Sequence, residues 1–292
     1  MVAELARLKP APIPAIHPVP EYAATGALAE AYARTKTGFG VPWMGVVAMA
    51  FAQYPAFYDR LWSALDPMAR SAAFATACAE LRAEAEAEAA ALSPAPLVGR
   101  LRALGYDARE LEEIRACNEV FSAGNMPYLL MATLARRVLE GQDWAGGVTP
   151  GPAMPVPPAV PRPPLIEPHH ADPIIASLYG EIRETLGLPF VNTDYRAFAR
   201  WPSYFIPAWE DLRRAVRSAA YEGHVCRVHD KAVALVAGLP SAPGLMAEDL
   251  RAAAAQDASV AEVLEVVRLF QWLLPGLALN VGFLRAQLQE TP

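Results

Sequence analysis

The stretch VPWMGVVAMAFAQYP at residues 41–55 is similar to a second stretch 147 residues later, LPFVNTDYRAFARWP at residues 188–202. The same offset aligns nine identical pairs inside and around these stretches, which are Pro42/Pro189, Ala50/Ala197, Phe51/Phe198, Ala52/Ala199, Pro55/Pro202, Tyr32/Tyr179, Gly40/Gly187, Trp62/Trp209 and Leu65/Leu212. Further along, an offset of 149 aligns Leu101-Arg-Ala with Leu250-Arg-Ala, Glu113 with Glu262 and Phe121 with Phe270. The sequence therefore predicts an internal duplication that spans nearly the whole chain.

Proline marks the boundary between the two copies. Nine prolines fall between residues 150 and 168, and five more precede the first copy between residues 10 and 20. Because proline fixes φ and has no N–H donor, such segments favour an extended connector over helix or sheet. We expect a first helical repeat at residues 1–149, a Pro-rich linker at residues 150–168 and a second helical repeat at residues 169–292.

Each copy is expected to be helical. Ala, Leu, Glu and Arg dominate residues 71–92, 108–120, 213–220 and 247–256, and no run of alternating β-branched residues appears. Asp107 is expected to start a helix at Ala108, and Asn192-Thr193 one over residues 194–200. Two copies of an apolar helical unit would pack about an approximate twofold axis. We predict an all-α, internally duplicated helical pseudo-dimer with the active site between the two repeats.

Charge, cysteine content and hydropathy exclude several classes of protein. Lys and Arg number 25 against 31 Asp and Glu, a net charge of −6, so the basic footprint of a nucleic-acid-binding protein is missing. The 3 cysteines are widely spaced and, with no secretory signal at the start, fit a reducing cytoplasm. Two uncharged runs, 38–58 and 269–284, contain prolines and polar residues, so we expect buried core helices and no membrane partner. A homodimer is compatible with the sequence.

Two polar residues break the symmetry between the copies. Asp194 aligns with Val47, and Asn125 aligns with Leu274, so each copy supplies one polar side chain where the other copy has a hydrophobic one. Tyr128 follows Asn125 by three residues and would share its face in a helix. These positions are therefore the first candidates for a functional site.

Structural interpretations of these residues stay open at this point. Asp194 could be an acid that complements a helix dipole, and Asn125 could be a capping or turn residue after a glycine. Arg196, two residues beyond Asp194, would turn away from it and lie on the solvated surface. Trp43 and Phe270 are core residues by default, yet they lie beside the two polar segments and could wall an apolar pocket.

No motif for a cofactor is present. GxGxxG, GxxxxGK[ST], GxSxG and HExxH are all missing, and the histidines lack the spacing of a helical metal pair. We expect chemistry without a metal or an organic cofactor.

Three segments, VPW at 41–43, GNMPYLL at 124–130 and TDYRAFARWP at 193–202, together resemble the group I 2-haloacid dehalogenases. The resemblance covers nearly the full length and implies a helical, duplicated, cofactor-independent enzyme. It implies hydrolytic removal of halide from a short 2-haloalkanoic acid, giving a 2-hydroxy acid of inverted configuration. Asp194 would be the catalytic base and Asn125 its assistant. The implied substrate-binding residues are Trp43, Val46, Tyr128, Thr193, Phe270, Leu273, Leu274 and Leu277.

Several features of this expected reaction stay open. Asp194 would take a proton from a water that attacks the α-carbon, or would itself attack and form an ester. Burial would raise the pKa of Asp194 whereas a helix N-terminus would lower it. Backbone N–H groups near Thr193 would hold the substrate carboxylate. Val46 and Leu273 stand where some relatives have aromatic residues, which leaves substrate size and enantiomer preference undetermined. A non-catalytic scaffold that binds a small acid or a protein in the same groove is the alternative.

Overall fold

The structure is a computed structural model that describes residues 5–145, 147–149, 151, 161–241 and 243–290. This part of the chain contains a 3-10 turn at Glu21–Ala23, an isolated β-bridge between Trp144 and Leu245, and no β-strand. Its α-helices are α1 (Gly26–Phe39), α2 (Val46–Phe51), α3 (Pro55–Ala69), α4 (Ala72–Ala91), α5 (Val98–Ala103), α6 (Ala108–Leu139), α7 (Pro173–Leu186), α8 (Thr193–Phe198), α9 (Pro202–Val216), α10 (Tyr221–Gly238), α11 (Ala247–Asp257) and α12 (Val260–Ala286). The predicted all-α class is confirmed.

Polar caps set where several helices begin. The Asp107 side chain accepts a hydrogen bond from the Glu110 N–H, and Glu110 accepts one from the Asp107 N–H, which closes a capping box ahead of α6. Ser71 caps α4 and Ser259 caps α12 through the N–H three residues further on. The predicted helix starts at Asp107 and at Asn192, the N-cap residue of α8, are confirmed to within one residue.

At three places the helix limits differ from the segments that composition or charge picks out in the sequence. Helix α6 does not stop near residue 120 but continues through Pro127 to Leu139. Residues 213–220 are not one helix, because α9 ends at Val216 and α10 begins at Tyr221. The uncharged run at residues 38–58 is divided among the end of α1, all of α2 and the start of α3.

The helices of the two halves follow one another in the same order. Helices α1, α2 and α3 begin 147 residues before α7, α8 and α9, and α4 and α5 begin 149 residues before α10 and α11. These are the offsets that align the two halves of the sequence. The duplication and the domain limits remain predictions, and most of the Pro-rich linker, residues 150 and 152–160, lies outside the described residues.

Helices α6 and α12 pack against each other in the interior. Helix α4 packs on α6, α10 and α12, while α11 packs on α3, so helices of one half contact helices of the other throughout. Helix α12 is long and apolar enough to cross a membrane, but most of its residues are buried among other helices. The prediction that residues 269–284 form a buried core helix is confirmed.

Candidate active site

Asp194 lies in the first turn of α8, next to the point where the chain leaves an extended segment at Asn192. Only 2% of Asp194 is exposed, which is unusual because carboxylates are rarely buried without a partner. The helix cap is formed by the backbone at Asn192, whose side chain makes no capping hydrogen bond. Asp194 is therefore a buried acid rather than a solvated residue at a helix end.

Asn125 and Tyr128 lie within the long helix α6, and both are buried. Asn125 is thus neither a cap nor a turn residue. Its Nδ2 donates a hydrogen bond of 2.7 Å to Oδ1 of Asp194. The structure therefore brings together the two polar residues that break the symmetry of the sequence, one from each half of the chain.

Burial decides the acidity of Asp194. Loss of hydration disfavours the charged carboxylate and raises its pKa from 3.8 to about 6. The hydrogen bonds from Asn125 and from the backbone N–H of Asp194, together with the charge of Arg196, oppose that rise without cancelling it. The net shift of the Asp194 pKa, whose sign the sequence leaves open, is therefore upward. The carboxylate is more basic than usual and still ionised near pH 7, as a general base should be.

A cavity of about 30 Å³ lies beside Asp194 and has room for about two water molecules. Among the described residues that line it, Asp194 alone carries a charge. Every site residue named from the sequence lines this cavity, namely Trp43, Val46, Asn125, Tyr128, Thr193, Asp194, Phe270, Leu273, Leu274 and Leu277. Within the described ranges no group of three or more His, Cys, Asp and Glu side chains could hold a metal ion.

Four further lining residues, Gly45, Val47, Phe190 and Asn192, were not named as site residues from the sequence. The predicted repeat carries the signal that would have found them, because each aligns with another lining residue. At the two sequence offsets, the paired lining residues are Trp43/Phe190, Gly45/Asn192, Val46/Thr193, Val47/Asp194, Asn125/Leu274 and Tyr128/Leu277. The cavity therefore lies where equivalent segments of the two halves meet.

Two glycines allow the aromatic wall of the cavity to lie close to the backbone. A Cβ atom at Gly124 would lie 2.3 Å from Cη2 of Trp43, and one at Gly45 would lie 2.8 Å from the ring of Tyr128. The Tyr128 hydroxyl donates a hydrogen bond of 2.8 Å to the carbonyl of Trp43. Tyr128 therefore fixes the Trp43 segment with its hydroxyl and presents its ring to the cavity.

Arg196 is not the solvated surface residue that its position in α8 suggests. Its guanidinium pairs with Glu167 and donates a hydrogen bond of 3.1 Å to Oγ1 of Thr193, with 16% of the side chain exposed. Since Oγ1 accepts this bond, the Thr193 hydroxyl hydrogen is free to serve another acceptor. The sequence could not reveal this arrangement, because Glu167 belongs to the segment that precedes α7.

Comparisons with known proteins find relatives of one kind. An (R)-2-haloacid dehalogenase of Rhizobium sp. (strain NHG3) is 45% identical over 240 residues, which cover 82% of this chain and 93% of that protein. An (R)-2-haloacid dehalogenase of Pseudomonas putida is 35% identical over 278 residues, covering 93% and 92%. A configuration-inverting 2-haloacid dehalogenase of Pseudomonas sp. (strain 113) is 27% identical over 241 residues, covering 80% and 78%.

Solved structures give the same result. The crystal structure of a D-2-haloacid dehalogenase mutant matches with a TM-score of 0.88 at 34% identity, covering 98% of this chain and 99% of that chain. A complex of D-2-haloacid dehalogenase with L-LA matches with a TM-score of 0.88 at 34% identity, covering 98% and 100%. No protein-family model matches the chain. Its identity to these relatives over most of its length shows that the chain belongs to the 2-haloacid dehalogenase family.

Proposed function

We propose that this protein is a hydrolase that removes halide from C2 of short 2-haloalkanoic acids and yields 2-hydroxy acids of inverted configuration. One observation carries the proposal: a buried carboxylate with a pKa of about 6, Asp194, faces a small apolar cavity and is held by Asn125. The relatives named above as 2-haloacid dehalogenases support the reaction class, and one of them is named as configuration-inverting.

In the proposed reaction Asp194 acts as a general base on water. The water oxygen forms a bond to C2 while Asp194 takes one of its protons, and the carbon–halogen bond breaks with its electron pair leaving on the halide. Attack occurs opposite the leaving halide, so the configuration at C2 inverts. The amide of Asn125 holds the carboxylate in place and adds no competing charge.

The charge of the substrate limits how this site can work. A 2-haloacid brings its own carboxylate beside Asp194, and neither Lys nor Arg is among the described lining residues. Two like charges in an apolar cavity raise each other's pKa, so Asp194 becomes a stronger base when substrate is bound. The amide of Asn192 and the hydroxyl of Thr193 are the uncharged donors available to the substrate carboxylate. The expected contribution of backbone N–H groups near Thr193 stays a prediction.

Oxygen labelling distinguishes water attack from an ester intermediate on Asp194. In a single turnover in ¹⁸O-water, direct attack places the label in the 2-hydroxy acid. An ester route places the label in Asp194 and leaves the first product unlabelled. Label in the Asp194 peptide after one turnover contradicts the proposed route.

Replacement of the base tests its assignment. Asp194→Asn should abolish halide release because an amide cannot accept the proton from water, while the helical circular dichroism spectrum stays unchanged. Asp249→Asn is a matched control, since Asp249 lies on α11 and pairs with Arg60 away from the cavity. Activity near the wild-type level in Asp194→Asn shows that another group is the base.

We propose a preference for the (R) enantiomer, because both relatives above 30% identity are named as (R)-2-haloacid dehalogenases. Halide release from (R)-2-chloropropionate should exceed release from the (S) enantiomer, and chiral chromatography should identify the product as (S)-lactate. Faster turnover of the (S) enantiomer contradicts this preference.

The same assay tests the alternative of a non-catalytic scaffold. Absence of halide release from either enantiomer, with 2-haloacids still bound, favours that alternative.

We propose that the protein works in the cytoplasm, where its free cysteines Cys78, Cys117 and Cys226 stay reduced. Light scattering of the purified protein would test for a homodimer.

A further inference from the structure

A second cavity, of about 200 Å³, lies next to the reaction cavity. Asn192, Leu273 and Leu277 line both cavities and so form the wall between them. The second cavity is several times larger than the first and contains groups that the proposed reaction does not use. We call this second cavity the antechamber of the reaction cavity.

An arginine from the N-terminal segment lies in the antechamber. The Arg7 side chain is only 7% exposed, and its guanidinium pairs with Glu222, whose side chain is 62% exposed. The buried Nε of Arg7 has no hydrogen-bond partner among the described residues. A buried donor without a partner costs free energy, so an acceptor that reaches Nε of Arg7 would be stabilised there.

The local charge is positive despite the glutamate. The Arg7 guanidinium lies 5.3 Å from the ring centre of Trp272, and the Lys9 ammonium lies 5.1 Å from the same ring. Among the described residues, the lining holds one cation, Arg7, and one carboxylate, Glu222, and Lys9 adds a second cation from outside the lining. The antechamber therefore favours small anions.

A chain of hydrogen bonds adds an uncharged donor. The Tyr221 hydroxyl donates to Oδ1 of Asn280 over 2.8 Å, and Nδ2 of Asn280 donates to the Tyr195 hydroxyl over 2.9 Å. Because Tyr195 accepts here, its own hydroxyl hydrogen is available to an anion. At Gly276 a Cβ atom would lie 3.4 Å from the Tyr221 hydroxyl and 4.0 Å from Nη2 of Arg7, so the missing side chain leaves room beside both.

We propose that the antechamber binds one small monovalent anion at Arg7: the carboxylate of a 2-haloacid before it reaches Asp194, or the halide that leaves. The proposal rests on the proposed function, because it supplies the cation that the reaction cavity lacks. A negatively charged substrate that approaches ionised Asp194 is stabilised at the antechamber wall. Arg7 is thus a binding residue outside the reaction cavity rather than a catalytic residue.

Binding of product-like anions tests the proposal without turnover. Bromide and lactate are titrated separately into the wild-type protein and into Arg7→Gln by calorimetry. Binding of at least one of them should weaken at least tenfold in Arg7→Gln, and loss of lactate or of bromide binding tells which anion the antechamber takes. Unchanged binding of both anions overturns the proposal.

A second variant separates anion binding from a structural role. Glu222→Gln breaks the same ion pair as Arg7→Gln but removes the competing carboxylate, so it should tighten anion binding. If the antechamber holds the substrate carboxylate, KM for 2-chloropropionate should rise at least fivefold in Arg7→Gln and fall in Glu222→Gln. If it holds the halide, the inhibition constant of bromide should shift in the same directions. In both cases kcat should stay within about twofold of wild type in both variants. Arg60→Gln, which breaks the ion pair with Asp249, is the matched control and should change neither.

The outcomes distinguish this inference from the proposed function. If both ion-pair variants shift KM in the same direction, the pair is structural and the antechamber proposal is wrong. If wild-type protein releases no halide but Arg7 still controls bromide or lactate binding, the proposed function fails while the anion site stands. If Arg7→Gln releases halide normally and binds bromide and lactate as tightly as the wild-type protein, the anion site fails while the proposed function stands.

Discussion

Replacing Asn125 by Leu tests how the amide sets the basicity of Asp194. Leu occupies the equivalent position, 274, in the other half of the chain, and it is a good helix former of similar size. The variant should therefore keep α6 intact and exclude a replacement water. It removes the 2.7 Å hydrogen bond that opposes the effect of burial on Asp194.

The size of the effect follows from the hydrogen bond. A hydrogen bond to a charged group contributes about 1.5–3 kcal/mol, which corresponds to about 1–2 pKa units. The pKa of Asp194 should rise from about 6 to about 7–8. A general base acts only when deprotonated, so activity is lost as the pH falls through this pKa. At pH 6 the ionised fraction of Asp194 should fall from about a half to about 1–10%.

The assay is kcat/KM for halide release from 2-chloropropionate between pH 5 and pH 9.5. The acid limb of the profile should move upward by about 1–2 units in Asn125→Leu. A lower plateau at high pH would measure a separate contribution of Asn125 to positioning the water. If the plateau falls while the acid limb stays at its wild-type pH, Asn125 does not control the pKa of Asp194, and the reasoning is refuted.

Two further changes have defined outcomes. Asp194→Asn should stabilise the fold by up to about 3 kcal/mol at pH 8, because the carboxyl pKa lies above its unfolded value and ionisation therefore destabilises the folded state. Denaturant unfolding should show this gain shrinking as the pH falls from about 6 to about 4, and a gain that grows towards acid would contradict the sign. Gly124→Ala should lower kcat/KM at least tenfold, because the new methyl group displaces Trp43 from the cavity wall. Gly180→Ala, at an open helical position, is its control and should leave activity unchanged. Equal losses of kcat/KM in the two variants would contradict a role of Trp43 in the reaction.

The pairing of Asp194 with Asn125 could be predicted by aligning the first half of the sequence with the second. When two halves share a pattern, a polar residue opposite Val47 or Leu274 stands out without any knowledge of the fold. The helical class and the cap at Asp107 depend on composition and local hydrogen bonding, which the sequence also carries. Repeat symmetry would also have named Phe190 as a lining residue.

Other features depend on contacts between distant segments. The raised pKa of Asp194 results from how completely surrounding helices exclude water, and no local pattern measures that. The pairing of Arg7 with Glu222 joins residues 215 positions apart. Helix α6 continues through Pro127 although proline disfavours helix interiors, because packing against α12 outweighs the local preference.

The bond between the Asn125 amide and the Asp194 carboxylate joins side chains that lie on opposite sides of the proline-rich connector. Neither half of the chain alone holds both residues of the proposed reaction centre. Cleavage of the polypeptide within residues 150–168 would therefore give two inactive fragments. The rate of halide release would then be proportional to the concentration of reassembled pairs. The enzyme is in this sense suited to fragment complementation, with its own chemistry as the readout.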